Sequence, residues 1–194
     1  MKTIEAIKVG SNMLRKKKIP SYILDSELLM SKTLNKPREQ VLINLDKKLS
    51  DKKISLFKRY LNRRSKNEPI AYILGKKEFW SEIYKVTKDT LIPRPETEIL
   101  VHELLKVYRG KKISILDIGT GSGCIILSLL NNLKKSKGTG IDISKKAISI
   151  ARKNAIAHKI SNRVKFYNKS LESLFFKKFD LIVSNPPYIV RKDI

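Results

Sequence analysis

The chain has little that oxidative or metal chemistry could use: of its 194 residues one is cysteine and two are histidine. A single thiol cannot form an internal disulfide or a cysteine metal cluster, and no metal-ligand spacing is present, so no metal site is expected and a reducing cytoplasm is the expected compartment. Cys124 reads as a small buried side chain, and His102 and His158 as surface or helix-capping residues. No apolar run approaches the roughly 20 residues of a membrane-spanning helix, and Met1-Lys2-Thr3-Ile4-Glu5 lacks the apolar stretch of a signal peptide, so no membrane partner is expected. Acidic residues are also scarce, 18 against 42 Lys and Arg, which leaves a formal net charge of +24. That excess suits a polyanionic partner such as nucleic acid, although the lysines are spread along the chain and form no single block.

What is present is a change of pattern along the chain. Ile4, Ile7, Val9 and Leu14 space a first helix, and Ile23, Leu24, Leu28 and Leu29 a second after Pro20-Ser21. Pro37 opens a third through Val41, Leu42 and Leu45, and Ser50-Asp51 precedes a fourth carrying Ile54, Leu56, Phe57 and Leu61. Residues 1–74 therefore read as a small all-helical domain, with no glycine between Gly10 and Gly75. Residues 75–94 read as a hairpin or linker, with Phe79-Trp80, Ile83-Tyr84 and Val86 as extended residues, Lys88-Asp89 as its turn, and Trp80 as a packing anchor between domains. Pro95 starts a helix that reaches Tyr108 and that Gly110 ends. Strands and helices then alternate: strand 113–118, helix 124–133, strand 139–143, helix 145–158, strand 164–167 and strand 179–183. Such alternation predicts right-handed crossovers and a parallel sheet flanked by helices over residues 95–194.

Two constellations in that second half carry chemistry. Leu116-Asp117-Ile118 leads into Gly119, Thr120, Gly121, Ser122 and Gly123, directly after a strand and opening a helix. Glycines let the backbone turn sharply and approach a ligand, and the helix N-terminus offers unpaired N–H groups. Asp142 falls at the end of the next strand, where a carboxylate can accept both hydroxyls of a ribose. An Asp ahead of the glycines, with no phosphate-binding lysine, favours S-adenosylmethionine over a dinucleotide. The competing reading makes Asp142 a helix cap, a role that Ser144 can fill instead.

The second constellation is Asn185-Pro186-Pro187-Tyr188, after the apolar run that ends at Val183. An amide nitrogen is a poor nucleophile because its lone pair is delocalised into the carbonyl. A site that methylates it must accept both N–H groups and aim the nitrogen at the methyl donor. The Asn185 side-chain oxygen can accept one hydrogen and the Pro186 carbonyl the other. Consecutive prolines fix φ and remove N–H groups from the turn, and Tyr188 can stack on a flat amide or base.

The segments Glu68-Pro69-Ile70-Ala71-Tyr72-Ile73-Leu74-Gly75, Glu78-Phe79-Trp80 and Leu91-Ile92-Pro93-Arg94-Pro95-Glu96-Thr97-Glu98, the Asp-Ile-Gly-Thr-Gly-Ser-Gly loop and Asn-Pro-Pro-Tyr occur here in that order. Together they resemble the HemK/PrmC family of release factor glutamine methyltransferases, over essentially the whole chain and most loosely in residues 1–65. The resemblance implies an α/β fold: a Rossmann-like methyltransferase sheet of about four strands behind a small all-α domain. It implies N5-methylation of the glutamine in the Gly-Gly-Gln motif of peptide chain release factors, with S-adenosylmethionine as donor. Gly119, Thr120, Gly121, Ser122, Gly123, Asp142, Leu171 and Asn185 would then serve the cofactor. Asn185, Pro186, Pro187 and Tyr188 would hold the glutamine, with Asn185, Pro186 and Tyr188 as the catalytic set, and the helical domain would meet the release factor.

Two departures accompany the resemblance. The family usually carries an acidic residue, often followed by tryptophan, after its third strand; Ser170 and Leu171 stand there instead, leaving apolar packing against the base. Its fold also continues past Asn-Pro-Pro-Tyr, so the chain is expected to be a member shortened after the fourth strand. Two other functions are consistent with the residues. One is an adenine-N6 nucleic-acid methyltransferase, because an adenine amino group poses the same two-hydrogen problem. The other is a non-catalytic remnant that still binds a release factor.

Overall fold

The computed structural model describes residues 1–173 and 178–186. It divides into two compact units, Met1–Leu74 and Gly75–Ile194.

The first unit consists of α1 (Thr3–Lys16), α2 (Tyr22–Leu34), α3 (Arg38–Ile43), α4 (Asp51–Ser65) and the single turn α5 (Ile70–Leu74). Glu5 reaches back to accept the Lys2 N–H at 2.8 Å, satisfying one of the donors that a helix start leaves unpaired. Asn35 ends α2 in the left-handed conformation. Leu14, Leu29, Met30, Val41, Phe57 and Leu61 form the core. Two of the expected core stripes are displaced: Val9 on α1, and Ile23 and Leu24 on α2, are exposed. The buried faces use smaller and more polar residues instead, namely Ala6, Gly10, Asp25 and Ser26. At Gly10 a β-carbon would stand 2.6 Å from Ser26 Oγ and 3.0 Å from both Leu61 Cδ2 and Phe57 Cζ, so its missing side chain lets α1 approach α2 and α4. Asp25, buried in α2, is met by Arg64 of α4 at 2.7 Å.

The second unit opens with a hairpin, β1 (Lys76–Phe79) and β2 (Glu82–Lys85). Its turn is Trp80-Ser81, with φ of +53° and +56°, and Lys88-Asp89 forms a separate turn beyond β2. Left-handed conformations in both turn residues match the twist of the flanking strands, although neither residue is one of the usual glycines or asparagines. The Trp80 N–H is held by Glu98 Oε1 at 3.1 Å, and the ring packs on this unit's own core. Tyr84 is buried with its hydroxyl 2.9 Å from Ser128 Oγ.

After α6 (Glu96–Tyr108) come β3 (Ser114–Ile118), α7 (Cys124–Asn132), β4 (Lys137–Asp142), α8 (Lys145–Ala157), β5 (Val164–Asn168) and β6 (Leu181–Ser184). The four strands are parallel in the order β5-β4-β3-β6. Ile126, Leu127, Leu129 and Leu130 of α7 are completely covered, which explains why that helix is apolar nearly all round. The register aligns Ile118 with Ile141 and with Ser184, and Asp142 with Asn168. The carboxyl ends of all four strands thus finish at one edge of the sheet. The chain reverses direction across the sheet between β3 and β6, the topological switch point where open α/β sheets bind ligands.

Candidate active site

At that switch point lies a cleft of about 410 Å³. Gly119 and Gly121 of the loop after β3 border it, as do Asp142 and Ile143 after β4, Ser170 and Leu171 after β5, and Asn185 and Pro186 after β6. Grooves of comparable volume lie against α8 and β5 and beside α6 and α7, but neither is bordered by the glycine loop or by Asp142. Chemistry, not size, distinguishes the cleft.

The glycine loop is held from beneath. Gly119, Gly121 and Gly123 have φ of +70°, +55° and +81°, and beside Gly119 no atom lies within 4 Å of where a β-carbon would stand. Bare backbone therefore faces open cleft. Thr120 and Ser122 are buried and serve the loop itself: the Thr120 hydroxyl donates to Asp117 Oδ2 at 2.6 Å, and the Ser122 carbonyl accepts from Asn154 Nδ2 at 2.8 Å. Gly123 is the residue before α7, packed under Leu127, Ala151 and Phe166. Asn154 also exchanges two hydrogen bonds with the Lys85 backbone, at 2.8 and 3.0 Å, so one buried carboxamide ties the loop to the hairpin.

Asp142 points its carboxylate at the same loop. Oδ2 accepts the Gly121 N–H at 2.9 Å and Oδ1 the Ser144 N–H at 2.8 Å. Ser144 caps α8 through its own hydroxyl, which accepts from the Ala147 N–H at 3.2 Å. Asp142 is consequently not the cap. Its two oxygens offer about four lone-pair directions, of which the backbone uses two.

Asn185 and Pro186 border the cleft opposite, and the Asn185 Nδ2 donates to Thr97 Oγ1 at 3.0 Å. Pro187 and Tyr188 lie outside the described residues. The remaining wall is the loop after β2, where Lys88-Asp89 turns outside the hairpin. Thr87 and Thr90 close it with mutual hydrogen bonds of 3.0–3.1 Å, presenting Asp89, Thr90 and Leu91 to the cleft. Asp89 is 3.6 Å from the Lys146 ammonium. Ile143 and Leu171 contribute exposed apolar side chains. Cys124 is buried and its thiol is pushed up to about 12, so it is inert at neutral pH. His158 stacks on Tyr84 at 4.6 Å and meets the Ile83 carbonyl, and among the described residues no cluster of metal-ligating side chains exists. No helix among them is long and apolar enough to cross a membrane.

Asp117 is the carboxyl group beneath the glycine loop, and the fold alters its acidity strongly. Burial raises its carboxyl from 3.8 to about 7, opposed by the Thr120 hydroxyl and reinforced by the negative charge of Asp142. A carboxyl raised on folding binds its proton more tightly in the folded state. Its contribution to stability is complete below the unfolded value near 4 and is lost as pH rises through about 7. Wild type should therefore lose a few kcal/mol, in order of magnitude, between pH 5 and pH 8 relative to Asp117→Asn. Urea unfolding midpoints of both proteins at the two pH values measure this; parallel curves would refute it.

A parallel sheet with the strand order β5-β4-β3-β6, a glycine loop after its first strand and a carboxylate after its second define a Rossmann-like, S-adenosylmethionine-dependent methyltransferase domain. Residues 95–194 match the methyltransferase small domain family and residues 5–75 the PrmC N-terminal domain family. The chain belongs to the HemK/PrmC family of release factor glutamine methyltransferases. It is 40% identical to a release factor glutamine methyltransferase of Leptospira interrogans, over 96% of this chain and 67% of that protein. It is 43% identical to another from Buchnera aphidicola, over 90% and 62%, and 39% identical to a bifunctional methyltransferase of Rickettsia felis, over 95% and 41%. The chain thus spans about two fifths of the bifunctional relative and about two thirds of the single-function ones.

Proposed function

We propose that the chain transfers a methyl group from S-adenosylmethionine to the side-chain amide of the glutamine in the Gly-Gly-Gln motif of a peptide chain release factor, in the cytoplasm. The cleft fits the donor. Gly119 and Gly121 leave backbone open to it, Asp142 keeps acceptor capacity for a ribose, and Ile143 and Leu171 offer apolar surface to a base. When bound there, the donor would supply an electrophilic methyl carbon on sulfonium sulfur, and Asn185 and Pro186 would hold the target amide nitrogen against it.

The observation that carries the reading is the placement of Asn185 in the same cleft as the glycine loop. With its Nδ2 engaged by Thr97, the acceptor oxygen is the end left for a target N–H, and Pro186 follows immediately to offer its carbonyl. Pro187 and Tyr188 would complete the grip on the planar amide, and residues 1–74 would contact the release factor. The experiment is incubation of the purified chain with a release factor and labelled donor. Label should appear on the Gly-Gly-Gln glutamine and fall by roughly 100-fold with Asn185→Ala, the scale of a lost near-attack geometry. No label on that glutamine, with a longer relative active in parallel, would defeat the proposal. The net charge of +24 favours the adenine-N6 reading as the alternative, which label on DNA or RNA would select.

A further inference from the structure

We propose that Thr97 is a positioning residue that holds the Asn185 carboxamide by its NH₂ end and so leaves the oxygen to the cleft. The inference rests on the reading that Asn185 grips a target amide. A carboxamide has chemically opposite ends, an NH₂ with two donors and an oxygen that only accepts. Half a turn about the last side-chain bond exchanges them at little intrinsic cost, because that torsion is broad and roughly two-fold. A target NH₂ can be held by the oxygen and is repelled by the NH₂. Asn185 therefore gains from a partner that holds its NH₂ end before the substrate arrives.

Thr97 supplies that partner from 88 residues away in sequence, its Oγ1 accepting from Asn185 Nδ2 at 3.0 Å. Thr97 is 9% exposed, so little water competes for the bond. Its own position is fixed by the start of α6. Pro95 stands at the N-cap, the Thr97 N–H donates to the Arg94 carbonyl at 3.0 Å, and the Glu98 N–H donates to the Pro95 carbonyl at 2.9 Å. Glu98 in turn accepts the Trp80 N–H at 3.1 Å, which ties the first turn of α6 to the hairpin. The segment Pro93-Arg94-Pro95-Glu96-Thr97-Glu98 thus reaches the cleft wall through the Thr97 hydroxyl on Asn185.

Two substitutions in the full chain separate this role from a merely structural one. Thr97→Val keeps the shape and removes the acceptor, and Thr97→Ser keeps the acceptor and removes a methyl group. The first readout needs no activity: the side-chain NH₂ signals of Asn185 in a ¹⁵N-edited spectrum, assigned by their loss in Asn185→Asp. In wild type and Thr97→Ser these hydrogens should exchange slowly with solvent; in Thr97→Val they should exchange at least about tenfold faster, at an unchanged melting temperature. The second readout is methyl transfer, where Thr97→Val should lower kcat roughly 10- to 100-fold while Thr97→Ser restores it, with the affinity for S-adenosylhomocysteine unchanged throughout. Exchange that ignores Thr97→Val overturns the inference, as does equal loss of kcat in the Val and Ser variants. If wild type transfers no methyl group at all, the proposed function fails, and the exchange measurement still decides the orientation.

Discussion

Asp142→Ala should weaken S-adenosylhomocysteine binding by at least about 100-fold, measured by calorimetric titration of the full chain. The carboxylate has two tasks. It anchors the Gly121 and Ser144 N–H groups at 2.9 and 2.8 Å, and its remaining lone pairs are the ribose acceptors in the proposed complex. Hydrogen bonds to a charged group contribute about 1.5–3 kcal/mol each. Losing two to the ribose corresponds to a factor between about 100 and 10⁴ in affinity. The loop adds to this, since Gly121 would keep its left-handed conformation without the oxygen that rewards it. Asp142→Asn retains one acceptor and should fall between wild type and Asp142→Ala. If Asp142→Ala binds the cofactor product as wild type does, the carboxylate is only a brace for the loop.

The parallel half of the fold is legible in the sequence because its signals are local. Each strand is a short apolar run followed by turn chemistry, and the glycines after Ile118 announce a backbone that helix or strand cannot use. The place of the hairpin's turn was missed for the opposite reason. Trp80 and Ser81 both adopt left-handed backbone without being Gly, Asn or Asp, so local turn rules move the turn to Lys88-Asp89. What supports Trp80 there is the carboxylate of Glu98, invisible to any window around the turn. In the helical unit, counting large apolar residues placed Val9, Ile23 and Leu24 inside, whereas close helix approach at Gly10 and a charged pair at Asp25 set the buried faces.

The candidate site divides the same way. The residues that present backbone or a carboxylate to the cleft, Gly119, Gly121, Asp142 and Asn185, stand in compact motifs. Those that hold them in place do not: Asn154 supports the loop from α8, and Thr97 orients Asn185 from α6. Such supports are single polar residues on helices, where solvent exposure is the ordinary expectation. Only the folded parallel sheet, by ending all four strands at one edge, brings them against the motifs they serve.

Arg64→Ala should destabilise the helical unit by about 3–5 kcal/mol, as much as truncating a large core side chain. Arg64 Nε lies 2.7 Å from Asp25 Oδ2 with their side chains 15% and 3% exposed, and its Nη1 donates to the Glu68 carbonyl at 3.2 Å. Forming such a pair gains little net energy, because both charges give up water to meet. Removing one member is different, since the other stays buried with nothing to balance its charge. For a unit of this size the loss should lower its melting temperature by well over 10 °C. The paired replacement of Asp25→Leu with Arg64→Met removes both charges and should recover most of the stability. Hydrogen exchange of α2 and α4 amides in the full chain reads this unit directly. Equal losses in the single and double variants would show that shape, not charge, is what Arg64 contributes.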